Sequence, residues 1–210
     1  MTMNRAEGRL PQETAKPEVI LPPLSAETQK LVEHMQNNGY AVYDTLGKTP
    51  VGLKQEGMRY RYLNTALENI TAVPSLLAFK VSPQQFFPAG SKNIPHERQM
   101  ELLPEEQARV DREYPDTGLV VREGKLPEWP ELALRHFKET SKAGRGVRIF
   151  GRDYAYAYTW TDTYDSDQPG AHRAIVGYWD EAGGLSVDFW HPDSVRPDLG
   201  LASLLEIPRK

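Results

Sequence analysis

The sequence predicts an α+β fold, with short helices and strands in the N-terminal two-thirds and a C-terminal antiparallel β-meander over about residues 147–190. Helices should cover one face of that sheet, since a half-apolar sheet has to bury that face. Three observations lead there. Helix-start signals precede apolar stripes at Ser25, Thr49 and Pro104. Short apolar runs bounded by Gly or Pro read as strands. From Val147 onward, aromatic and β-branched residues recur at a spacing of two rather than the helical spacing.

The elements follow in order. Residues 1–23 are polar, charged and Pro-containing, and read as a flexible tail ahead of one α+β domain over 24–210. Ser25 is an N-cap with Leu24 as the preceding staple residue, and Leu31, Val32 and Met35 form the buried stripe. Asn38-Gly39 closes that helix. Residues 40–44 read as a strand, Thr49-Pro50 starts a second helix, and Gly57 stops it. Residues 58–63 suggest a strand or edge, and 75–81, between Pro74 and Pro83, is the best strand of the first half. A long ordered loop spans 82–96. A helix opens at Pro104 and ends before Pro115, a brief strand covers 118–121, and another helix covers 131–142 with Leu132, Leu134, Phe137 and His136 toward the core. Strands are then expected at 147–150, 154–161, 173–179 and 185–190.

Composition narrows the chemistry. A chain of 210 residues can bury roughly 70% of its unfolded surface and needs no staple to fold. It contains no cysteine, which excludes a disulfide framework, thiol catalysis and zinc sites built on Cys. No apolar run approaches the ~20 residues that span a bilayer, the start lacks a secretory h-region, and the net charge is −4. A cytoplasmic, non-membrane protein is expected.

The strongest local signal is the hairpin around residues 179–185. With Glu181 to Gly184 as its loop, Tyr178 would face Val187 and Val176 would face Phe189. Trp179, Trp190, Asp188, Ile175, Ser186 and Gly177 would then share the opposite face, with Gly177 across from Asp188 as a notch between two indoles. Upstream, Tyr154, Tyr156, Tyr158 and Trp160 alternate with small residues, and would form a ladder on one face of a strand. Core packing explains such a ladder, and so does a stacking platform, because a tyrosine ring packs while its hydroxyl stays hydrated.

Catalytic spacings are missing. His96-Glu97-Arg98-Gln99-Met100 opens like a zincin helix but lacks the second histidine. There is no Gly-x-Ser-x-Gly elbow and no Walker loop. Gly144-Arg-Gly146 lacks the third glycine of a dinucleotide turn. Lys138, Lys142, Arg145, Arg148 and Arg152 cluster ahead of the tyrosines, yet the acidic total argues against a nucleic-acid partner. The preferred expectation is a non-catalytic binding or interaction module for a protein or small-molecule ligand, without cofactor or metal, using Trp179, Trp190, Asp188, Tyr156 and Tyr158. The alternative is a small metal-dependent or acid–base hydrolase using His172, Asp188, His191 and Asp193, with Asp162, Asp165 and Asp167 nearby. Turn chemistry accounts for the same acidic and histidine residues.

Overall fold

In the computed structural model, which describes residues 20–142, 145–165 and 171–209, the chain opens with helix α1 (Ala26–Asn37). Ser25 Oγ accepts from the Thr28 amide at 3.2 Å, as its N-cap position requires. Gly39, with φ of 79°, ends the helix in the left-handed region that glycine tolerates. The expected tail falls largely outside the described residues. Strand β1 (Tyr40–Asp44) pairs antiparallel with β3 (Leu76–Lys80), from Tyr40 opposite Lys80 to Asp44 opposite Leu76. Between them lie α2 (Pro50–Gln55), capped by Thr49 Oγ1 on the Gly52 amide at 3.0 Å, and β2 (Tyr60–Leu63).

The helical middle of the chain comprises α3 (His96–Met100), α4 (Leu103–Glu113) and α5 (Glu128–Thr140), with β4 (Val120–Glu123) between the last two. Helix α5 starts three residues before the expected 131. Pro130 falls in its first turn, where the amide it lacks would have had no intrahelical partner. The short α3 follows the expected loop directly.

Two sheets result. The first has the order β1-β3-β9-β4 and is antiparallel throughout, with β9 (Ser203–Ile207) inside it. The second is built on the expected meander, β5 (Tyr158–Tyr164), β6 (Arg173–Asp180) and β7 (Gly184–Trp190), in the order β2-β7-β6-β5-β8. Its two edges are parallel pairs, β2 with β7 and β8 (Leu199–Gly200) with β5. The α+β reading therefore holds, with an antiparallel centre. Among the described residues, no helix is long and apolar enough to cross a membrane.

The largest core lies where both sheets turn apolar faces toward α2 and α5, and includes Phe79, Trp129, Leu132, Phe150, Val176, Val187 and Leu204. Met35, Val110 and Leu205 belong to a second cluster, which joins α1 and α4 to the other face of the first sheet. On the other face of the second sheet a small cluster of Trp160, Ile175 and Leu199 supports Tyr158 and Trp190.

Two expected strands differ. Residues 147–150 form a turn, in which the Gly151 amide donates to Arg148 O at 2.9 Å. The strand expected at 154–161 begins only at Tyr158, because residues 152–154 make a 3-10 turn and Ala155 and Tyr156 take φ of 55° and 50°. Gly151 and Asp153 are turn formers, and their local preference overrides the alternation that follows. The ladder is accordingly split. Tyr154 enters the large core, its hydroxyl donating to Val81 O at 2.6 Å, and Trp160 is fully buried in the small cluster. Tyr156 and Tyr158 stay partly exposed.

Candidate binding surface

The hairpin between β6 and β7 decides which aromatic side chains reach the surface. Its register pairs Val176 with Val187, Ile175 with Asp188 and Gly177 with Ser186. This corrects the expected pairs Tyr178–Val187, Val176–Phe189 and Gly177–Asp188 by two residues. The connection uses three residues rather than four, so that Asp180 pairs with Gly184, and the Gly183 amide donates to the Asp180 carboxylate. A bulge between Gly177 and Asp180 takes up one more residue. At the bulge Tyr178 has φ of 50°, and the side-chain alternation slips there. Trp179 therefore turns inward, 5.5 Å from Phe137 and only 6% exposed. The two indoles do not share a face.

Tyr178 takes the outward place instead and completes a run of four rings. Trp190 lies 5.0 Å from Tyr158, Tyr158 5.9 Å from Tyr178 at an interplanar angle of 23°, and Tyr178 5.1 Å from Tyr156. Gly177 makes the run possible. It faces Tyr158 across β5–β6, and a Cβ there would stand 2.5 Å from Tyr158 Cα and 2.9 Å from its ring. The notch expected opposite Asp188 between two indoles is therefore not formed: Gly177 lies opposite Ser186, and Tyr158 covers it. Burial, partly offset by a hydrogen bond with Ser186, pushes the Tyr158 hydroxyl above its ordinary pKa, so the ring is neutral at physiological pH. Guanidinium groups stand over one end of the run and over its third ring, Arg196 4.5 Å from the Trp190 ring and Arg61 5.1 Å from Tyr178. Each is anchored, Arg196 by two 2.9 Å bonds to Asp198 and Arg61 by Asp180 at 2.7 Å.

The backbone here is strained. Of six non-glycine residues with positive φ among the described residues, Ala155, Tyr156 and Tyr178 lie in or beside the run. Such conformations cost about 1–3 kcal/mol each and persist where the surrounding structure enforces them. Next to Tyr156 opens a cleft of about 490 Å³ lined by Arg145, Arg148, Arg152, Asp153 and Glu181, with the edge of Trp179 in its wall.

The remaining sequence candidates are brought together only in part. Asp188 sits on the outer face opposite Ile175, and its Oδ1 accepts from the Phe189 amide at 2.8 Å. The His172 and His191 rings meet edge to face at 6.2 Å, and His191 Nδ1 lies 3.5 Å from the Asp193 carboxylate. Among the described residues no three His, Asp or Glu side chains are grouped to hold a metal ion, so the metal-dependent alternative has no ligand set there. Asp167 lies outside the described residues.

A buried ionic group escaped the sequence reading. Glu123 at the end of β4 accepts from Arg173 at the start of β6, and Arg173 also donates to the Tyr164 hydroxyl. His96 Nε2 lies 3.0 Å from Glu123 Oε1 and 2.7 Å from Arg173 Nη1. All three charged or titratable side chains are buried. The group bridges the two sheets and holds α3 against them, its desolvation offset by charge-assisted bonds at both carboxylate oxygens. The only local signal was an arginine opening an otherwise apolar strand. Its partners lie 50 and 77 positions away along the chain. Compared with known proteins, the chain matches no family model, and no curated protein or solved structure is significantly similar to it.

Proposed function

We propose that this protein is a binding module that takes a partner protein or a small-molecule ligand on the run Trp190–Tyr158–Tyr178–Tyr156, with Asp188 and the two guanidinium groups at its margin. One observation carries the reading: four rings in continuous contact at the surface of a sheet, held there by strained backbone and a glycine cut-out. Tyrosine and tryptophan give large contact area at low entropic cost, which is why they dominate binding hot spots. Trp179, expected at this surface, is left out of it, since it packs inward against Phe137. A chain without cysteine accords with a reducing, cytoplasmic setting.

The test is a screen of small planar aromatic compounds, read by the NMR resonances of the four rings. Hits should perturb Tyr156, Tyr158, Tyr178 or Trp190, and Tyr158→Ala or Trp190→Ala should weaken them by about 2 kcal/mol, the scale of a hot-spot truncation. An empty screen, or hits that survive both substitutions, would remove the proposal.

A further inference from the structure

The arginine-lined cleft beside Tyr156 asks for a ligand of its own. Three guanidinium groups, Arg145, Arg148 and Arg152, face two carboxylates, Asp153 and Glu181, so the cleft is locally positive in a chain of net charge −4. Its only ion pair among the described residues is a loose one. Arg148 and Glu181 are 3.6 Å apart, and the glutamate is 86% exposed, where screening by water leaves little attraction. Arg145 and Arg152 have no ion pair among the described residues, and both reach solvent. A single carboxylate is satisfied by one bidentate arginine, whereas three arginines lining one cleft, Arg148 among them with its guanidinium resting 4.8 Å over the Phe137 ring, suit the three oxygens of a phosphate. At about 490 Å³ the cleft falls in the size range of small-molecule sites.

The second half of the site is planar. Tyr156 lines the cleft and touches Tyr178 at 5.1 Å, so an anion in the cleft has stacking surface directly beside it. Tyr156 and Tyr178 both hold left-handed backbone at this spot, which aromatic residues rarely adopt. Strain of this kind concentrates at ligand sites, where it fixes a side chain before the ligand arrives.

We infer that this cleft binds a nucleoside monophosphate, the phosphate among Arg145, Arg148 and Arg152 and the base stacked on Tyr156. This rests on the aromatic run being a binding surface, and adds the class of ligand. The test is calorimetric titration of the full chain with AMP, GMP, CMP and UMP, alongside adenosine, inorganic phosphate and a short single-stranded oligonucleotide. At least one nucleotide should bind with a Kd of roughly 10–100 μM, and adenosine and phosphate about tenfold or more weaker. Arg152→Glu changes an exposed side chain, so the fold is retained, and should weaken the nucleotide about tenfold or more. Tyr156→Ala should do the same while leaving phosphate affinity unchanged. No nucleotide binding, binding indifferent to Arg152→Glu, or an oligonucleotide that binds more tightly than every mononucleotide overturns the inference. If the aromatic compounds still bind the run when nucleotides do not, this inference alone fails. If neither binds, the reading beneath it fails as well.

Discussion

Gly177 shows how much one residue decides. In its place a Cβ would meet Ala157 O at 2.3 Å and Tyr158 Cα at 2.5 Å, and those backbone atoms have no room to retreat inside a paired strand. Gly177→Ala is expected to destabilise the protein by about 1–3 kcal/mol, the usual cost of overpacking. In a chain of this length that lowers the melting temperature by roughly 2–4 °C per kcal/mol. The same substitution should push Tyr158 off the sheet and weaken aromatic compounds that bind the run. A variant with the parent's melting temperature would contradict the close approach. The residue scale also marks where sequence reasoning stopped. The expected notch lay opposite Asp188, which the register overturns, and only the gap itself was legible at Gly177, because a glycine between large strand residues signals close approach. What fills it was not, since a bulge leaves no local signature and Tyr178 gives no hint of positive φ. One unforeseen backbone conformation exchanged Tyr178 for Trp179 at the surface.

At the scale of elements, the helices with good caps were the easiest to read. Ser25 and Thr49 cap where their side-chain oxygens predict, because capping is a contact between residues three apart. Helix α5 is richer than its pattern suggests, for it buries three titratable groups, Glu128 against Arg122 and, further along, Glu131 and His136. Glu131 accepts from the Leu46 amide at 2.8 Å and the Lys48 amide at 3.3 Å, and burial raises its pKa above the ordinary carboxyl value. His136 was expected toward the core and is there, 2.9 Å from the Tyr43 hydroxyl and packed on Phe79. Burial lowers the His136 pKa from its ordinary 6.5. The unfolded chain therefore binds that proton more tightly than the folded one, so stability is complete above pH 6.5 and declines as pH falls below it. The slope from one proton is at most about 1.4 kcal/mol per pH unit. Glu131 works in the opposite sense, since a raised carboxyl pKa favours the folded state as pH falls toward its unfolded value. Comparing His136→Gln with the parent isolates the histidine, because Glu131 is common to both. Urea unfolding at about pH 7.5 and about pH 5.5 should show a smaller loss of stability for the variant. Equal losses in the two proteins would mean that His136 does not titrate differently on folding.

Across the whole molecule, the centre of the second sheet was legible and its closure was not. Strands β5, β6 and β7 follow one another and announce themselves by alternation, whereas the parallel partners of their edges lie far off in sequence, as in Tyr60 opposite Leu185. The C-terminal stretch Leu201-Ala-Ser-Leu-Leu-Glu-Ile207 carries helix-forming residues without clear alternation, so its pattern proposes no strand. Tertiary context overrides that preference, because β9 is buried between two partners, pairing with β3 on one side and β4 on the other. The chain reaches that slot directly from β8 in the other sheet through Leu201 and Ala202, both fully buried, and the Ala202 amide donates to Thr159 Oγ1 at 2.9 Å. A single segment thus closes both sheets. Ending the chain after Asp198 would leave the first sheet as the pair β1–β3 and an unpaired β4, with Leu76, Ala78 and Val121 stripped of Leu205. Two strands alone are marginal at best in water. The truncated protein is expected to lose its cooperative thermal transition and its near-ultraviolet circular dichroism together, since the aromatic core spans both sheets. Retention of a sharp transition would mean that the second sheet holds together without the strands that follow residue 198, and that the two sheets are separable folding units.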